Sequence, residues 1–69
     1  MTDTKYLIYR ADMDRHAAID MLTRTTPLNR RDVAHLLNEA NSRAFVINRQ
    51  MDISCNAAGL FTVGIKVYS

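Results

Sequence analysis

The sequence predicts an α+β fold with an N-terminal strand, three helices and a C-terminal β-hairpin. An aromatic and β-branched run opens the chain, apolar residues then recur at helical spacing, and apolar and polar residues alternate near the C-terminus. The 69 residues suffice for one domain, so we expect a single domain over residues 1–69. At 48% hydrophobic and 23% charged residues, the composition is typical of a globular protein.

Residue type and capping chemistry predict the first two elements. Residues 5–10, KYLIYR, favour a strand, because aromatic and β-branched side chains fit a pleated surface. Asp12 and Asp14 follow and supply the side-chain acceptors that begin a helix. We expect this first helix over residues 13–24. It ends before Pro27, since the residue preceding a proline avoids the helical region.

Asn29 is predicted to cap the second helix, with Asp32 at the reciprocal position of a capping box. The buried face of this helix would comprise Val33, Leu36, Leu37 and Ala40. Asn38 tolerates the left-handed conformation better than most residues do. It is therefore the predicted bend between two short helices, the alternative being one long helix over residues 29–42.

The segment over residues 43–51 fits two patterns, and the periodicity leaves both open. A helical face would comprise Ala44, Ile47 and Met51, and a strand face would comprise Phe45, Ile47, Met51 and Ile53. From Asp52 onward the alternation favours strands, and Gly59 supplies the turn of a hairpin. A lone hairpin is marginally stable, so its apolar face should pack on the helices.

Positive charge is concentrated in the middle of the chain. Residues 23–51 hold five arginines against Asp32 and Glu39, a balance of +3. Residues 1–22 hold four aspartates against three basic residues, a balance of −1. Arginine suits phosphates and guanine edges, although a solvated helical surface has the same composition.

Residues 27–51, PLNRRDVAHLLNEANSRAFVINRQM, and the hairpin that follows resemble the two-helix unit and the wing of the winged helix-turn-helix family. The resemblance covers roughly residues 13–68. Leu28 and Asn29 match the apolar and capping residues that open the unit, and Ala34 stands where its helices cross closely.

This resemblance implies a small, cytoplasmic, sequence-specific DNA-binding transcriptional regulator of a bacterium, plasmid or phage. A helix over residues 41–50 would read the major groove of double-stranded DNA. The side chains available for base edges are Asn41, Ser42, Arg43, Asn48, Arg49 and Gln50. Arg30 and Arg31 would hold phosphates, and Lys66 in the wing would contact the backbone. With so few basic groups such a regulator would need to dimerise or to bind cooperatively, and the strand over residues 5–10 offers a pairing edge.

The alternative hypothesis is a small phage or plasmid protein-interaction module that inhibits or modulates a host protein. It rests on Phe45 and Val46, which would point partly outward from the third helix, and on the modest net charge of +2. An exposed Phe45 would favour this alternative, and a buried Phe45 would favour the DNA-binding regulator.

The residue patterns do not favour catalysis or a bound cofactor. Neither His16 nor His35 has partners at metal-ligand spacing, and only Gly59 and Gly64 are available for a phosphate loop. We therefore expect no enzyme, cofactor or metal. Cys55 is the single cysteine, which fits a reducing, intracellular setting. No apolar run approaches the length of a membrane span.

Overall fold

The computed structural model describes residues 5–67 and shows two helices and four strands within them. The elements are β1 (Tyr6–Met13), α1 (Arg15–Thr25), α2 (Arg30–Arg43), β2 (Phe45–Ile47), β3 (Met51–Cys55) and β4 (Phe61–Lys66). The strands form one antiparallel sheet in the order β1-β4-β3-β2. Both helices pack on one face of this sheet, and the other face is open.

The predicted fold class is wrong in its helices and in its topology. The described residues contain two helices rather than three, and the order strand-helix-helix-strand-strand-strand differs from that of a winged helix-turn-helix domain. The predicted hairpin is confirmed as β3 and β4, with Gly59 in the turn at φ 81. However, β1 and β2 flank it on either side, so it forms the middle of a sheet rather than a projecting wing. The predicted first strand is confirmed as β1 and extends to Met13.

The predicted bend at Asn38 is also wrong, because α2 continues without a break from Arg30 to Arg43. The Asn38 side chain instead accepts a hydrogen bond from Nη1 of Arg15 at 2.9 Å, which joins the two helices. The left-handed residue is Ala44, at φ 75, where α2 ends and the chain turns into β2. The predicted helix over residues 41–50 is therefore wrong. Strand β2 forms there, but the predicted strand face is not adopted either, because Phe45 and Ile47 are exposed whereas Met51 and Ile53 are buried.

Side-chain capping begins both helices as the sequence predicts. Oδ1 of Asn29 accepts from the Asp32 amide at 2.9 Å, and Oδ1 of Asp14 accepts from the Ala17 amide at 2.8 Å. Asp12, the other predicted capping residue, lies before the helix at φ 55. Each cap satisfies an amide that has no partner within its helix, which contributes about 1 kcal/mol.

One small core lies between the helices and the sheet. Its largest fully buried side chains are Leu22, Leu37, Met51, Ile53, Val33 and Val63. Helix α2 packs across β2 and β3, and α1 packs against β1 and β4. The alternation in β3 and β4 therefore directs one set of side chains into this core and the opposite set onto the open face.

Two irregularities in β1 decide which of its side chains reach the open face. Tyr6 pairs with Lys66 and Ile8 pairs with Ile65, so Leu7 is an extra residue without a partner on β4. A second shift lies between Arg10 and Met13. In a regular strand, residues three apart point to opposite faces. The extra residue at position 7 therefore places Tyr6 and Tyr9 on the same face, although they are three residues apart.

Candidate interaction surface

The open face of the sheet is the candidate functional site. We use this name for the side that the helices leave uncovered. Its side chains are those of Tyr6, Tyr9, Phe45, Ile47, Asp52, Ser54, Thr62, Gly64 and Lys66. Both edge strands contribute large apolar or aromatic groups to this face, and the two central strands contribute small or polar ones.

The apolar groups of this face are exposed to solvent. The exposed fractions are 59% for Tyr9, 57% for Phe45 and 64% for Ile47. Antiparallel sheets with one solvated face normally carry polar side chains there. Exposed apolar patches mark interaction sites, and here they form two clusters, Tyr6 with Tyr9 and Phe45 with Ile47. The open face therefore has the composition of a binding surface.

Gly64 allows the two tyrosine rings of β1 to approach β4 closely. A Cβ atom at Gly64 would lie 2.6 Å from two ring carbons of Tyr6 and 3.0 Å from Cδ2 of Tyr9. The two ring centroids are 5.2 Å apart with an interplanar angle of 52°. The absent side chain thus makes room for an aromatic pair at one edge of the open face.

A hydrogen-bonded ion pair fixes this aromatic edge. The Tyr6 hydroxyl donates to Oδ2 of Asp52 at 2.6 Å, and Nζ of Lys66 lies 2.9 Å from Oδ1 of the same carboxylate. Nζ of Lys66 also donates to the Asn48 carbonyl at 2.7 Å. The Lys66 contact with Asp52 is an ion pair rather than a well-aligned hydrogen bond, since Oδ1 has no hydrogen-bond partner. The charges on the two side chains compensate each other.

These contacts shift the pKa of two groups. Burial raises the pKa of Asp52, but the contacts from Lys66 and Tyr6 outweigh it and hold the pKa below its ordinary value of 3.8. The hydrogen bond to Asp52, together with lesser burial and charge effects, raises the pKa of Tyr6 above 10.0. At neutral pH the carboxylate is therefore ionised and the phenol is neutral, which is the arrangement the hydrogen bond requires.

A shallow groove of about 170 Å³ runs between the two apolar edges. Tyr6 and Tyr9 form one wall, and Phe45 and Ile47 form the other. Small side chains on the central strands form most of its floor, namely Ser54 and Thr62 with Gly64 beside them, and Asp52 also lines the groove. The groove offers apolar walls and a flat, hydroxyl-bearing floor.

The residues predicted to contact DNA lie in separate parts of the molecule. Asn41, Ser42 and Arg43 form the last turn of α2, whereas Arg30 and Arg31 form its first turn. These two groups lie at opposite ends of a 14-residue helix, about 20 Å apart.

The remaining predicted DNA contacts lie near the sheet. Asn48, Arg49 and Gln50 form the turn between β2 and β3. Asn48 serves the turn itself, because its Oδ1 accepts from the amides of Gln50 and Met51 at 2.8 Å. Lys66 is held by Asp52. No single element presents these side chains together.

The two residues of the alternative hypothesis point in opposite directions. Phe45 lies on the open face, whereas Val46 is half-buried and packs against the core. Only Phe45 of the pair is therefore available to a partner.

Residues 5–67 contain neither a metal-binding cluster nor a membrane-spanning helix. No group of three or more His, Cys, Asp or Glu side chains in this range is placed to hold a metal ion. Neither α1 nor α2 is long and apolar enough to cross a membrane.

No family model, curated protein or solved structure matches this chain. The open face is therefore interpreted from its own geometry.

Sequence reasoning missed most of the open face. Tyr6 and Tyr9 were expected on a pairing edge. Residues three apart in a strand normally point to opposite faces, so their spacing gives no sign of the bulge that places them on one face. One signal was present, because a glycine inside a strand often marks the close approach of another group. Gly64 has that role here.

Proposed function

We propose that the protein is a small protein-interaction module that binds its partner through the open face. The observation that carries this proposal is the exposed position of Phe45 beside the groove, with Ile47 next to it on the same strand. These two side chains do not pack in the core of this chain, and a partner surface would remove them from water.

The chemistry of the surface supports a protein partner. Aromatic side chains are enriched in the centre of protein interfaces, where they combine large contact area with few rotatable bonds. The open face carries three of them, Tyr6, Tyr9 and Phe45. Its cation, Lys66, is compensated by Asp52, so the described part of the face has no row of positive charge for a phosphate backbone.

The expectation of DNA binding loses its structural basis with the third helix. The predicted reading helix over residues 41–50 is replaced by the end of α2, strand β2 and a turn. Arg43 ends α2 and Arg49 lies in the turn after β2, and Arg30 Nη1 lies 4.0 Å from Asp20 on α1. DNA binding is accordingly an outcome of the test rather than the proposal.

The test compares the protein with two variants as immobilised bait in a nuclease-treated lysate of the cells that make it. Phe45→Asp places a charge on the open face. Leu7→Asp is the control, because Leu7 is 71% exposed but does not line the groove. We expect a protein that binds the wild type and the Leu7 variant and is lost with the Phe45 variant, as measured by quantitative mass spectrometry.

The same bound proteins on all three baits would contradict the proposal. The second arm measures fluorescence anisotropy of mixed-sequence duplex DNA at about 50 mM salt. Electrostatic binding to DNA would weaken as salt is added. Binding there at tens of micromolar protein or below, unchanged by Phe45→Asp, would favour the DNA-binding regulator instead.

A further inference from the structure

We infer that the surface covering the open face is the open face of a second copy of this chain. The inference rests on the proposed function and names its partner. The two copies would meet sheet to sheet around a two-fold axis, so that each contributes the same residues to the interface.

Charge is the first argument for a second copy. Identical surfaces repel each other when they carry net charge, and the whole chain has a net charge of +2. On the open face, however, Asp52 and Lys66 form an internal ion pair 2.9 Å apart. The described part of this face can therefore meet its own copy without bringing uncompensated like charges together.

Shape is the second argument. Phe45 and Ile47 form a ridge along one edge of the face, and the adjoining groove has a floor of small side chains, Ser54 and Thr62. A two-fold axis parallel to the strands, placed near β3, brings the ridge of each copy over the groove of the other. The face thus contains both the projection and the recess that a self-complementary contact needs.

The available area sets the expected strength of the contact. The Cα atoms extend over 31 × 25 × 16 Å, and the shortest dimension corresponds to the two stacked layers. An elliptical face whose axes are the two longer dimensions covers about 600 Å². Two copies would therefore bury at most about 1,200 Å² together, which is the lower limit for stable interfaces. We expect a reversible dimer with a dissociation constant on the order of 10–100 µM.

Edge-to-edge pairing of strands is the competing arrangement, and the structure favours it less. Edge strand β1 is interrupted by two register shifts, and bulges of this kind hinder pairing with another strand. The other edge strand, β2, has only three residues. Both edges therefore offer short ladders, whereas the open face offers contact across β2, β3 and β4.

The experiment is sedimentation velocity of the full chain from about 5 µM to 1 mM. We expect the wild type to change from monomer to dimer over this range. Phe45→Asp should raise the dissociation constant at least tenfold, and Leu7→Asp should leave it within twofold. Both side chains are exposed, so each variant should fold, and circular dichroism verifies this.

A second measurement identifies the surface directly. In a mixture of isotope-labelled and unlabelled chains, isotope-filtered nuclear Overhauser spectra should show contacts between the Phe45 ring of one copy and the Thr62 methyl group of the other.

Two outcomes would overturn the inference. A chain that stays monomeric at 1 mM excludes the dimer, but the proposed function survives if lysate binding still depends on Phe45. A dimer that Leu7→Asp disrupts and Phe45→Asp does not would instead assign self-association to the β1 edge.

Discussion

Gly64 shows how one absent side chain organises the surface of this protein. It is buried by the rings of Tyr6 and Tyr9 rather than by the core. The rings occupy the volume that any other residue would claim for its Cβ atom. The Tyr6 hydroxyl then reaches Asp52 on β3, so the glycine also makes room for the hydrogen bond between them.

We predict that Gly64→Ala destabilises the protein by about 1 kcal/mol, because the new methyl group displaces the Tyr6 ring and its hydrogen bond. Urea unfolding followed by circular dichroism measures this change. In a Tyr6→Ala background the ring is already absent, so the same substitution should cost much less. Equal costs in both backgrounds would show that the contact with Tyr6 is not the cause.

The contacts among Tyr6, Asp52 and Lys66 predict a pH dependence of stability. The folded-state pKa of Asp52 is lowered, so its contribution is present above 3.8 and is lost as the pH falls through the folded value. The folded-state pKa of Tyr6 is raised, so its contribution is present below 10.0 and is lost as the pH rises through the folded value.

Urea unfolding midpoints measured from acid to alkaline pH test both the acid loss of stability and the alkaline loss. Tyr6→Phe should remove the part of the alkaline loss that Tyr6 causes, and Tyr9→Phe is the matched control. A wild-type alkaline profile that Tyr6→Phe leaves unchanged would contradict the assignment.

At the scale of elements, the predicted and the observed structures differ most at the end of α2. Capping by Asn29 and the apolar face of α2 follow from local chemistry, and both were predictable. The end of the helix was not, since asparagine and glycine are the usual left-handed residues and the chain uses Ala44. The predicted bend at Asn38 followed the local preference, whereas pairing of β2 with β3 determines where the helix stops.

We predict that Ala44→Gly stabilises the protein by about 1 kcal/mol, because a left-handed conformation is costly for a residue with a Cβ atom. Ala34→Gly, within α2, is the matched control and should destabilise by about 1 kcal/mol, the ordinary cost of glycine in a helix. Thermal and urea unfolding measure both changes. Destabilisation by Ala44→Gly would show that the helix end is not strained.

At the scale of the whole molecule, the class α+β and the hairpin were predictable, but the sheet was not. Alternating apolar residues identify β3 and β4 because one face of each is buried. The three residues of β2 are too few to show a period, and only their pairing with β3 makes them a strand. Long-range pairing also placed β1 beside β4. The open face depends on both edge strands, so local patterns could not reveal it.

The extra residue of β1 has a consequence for how the chain tolerates changes in length. Deleting one residue from a strand normally turns every side chain beyond it to the opposite face. Deleting Leu7 should not, because Tyr6 already pairs with Lys66 and Ile8 with Ile65, and the shortened strand would be regular as far as Arg10. Such a deletion would keep both tyrosines in place, but it would also lengthen the uninterrupted unpaired edge of β1, a known starting point for aggregation. Leu7 does not line the groove of the binding surface, and we expect its extra position to hinder strand addition at this edge.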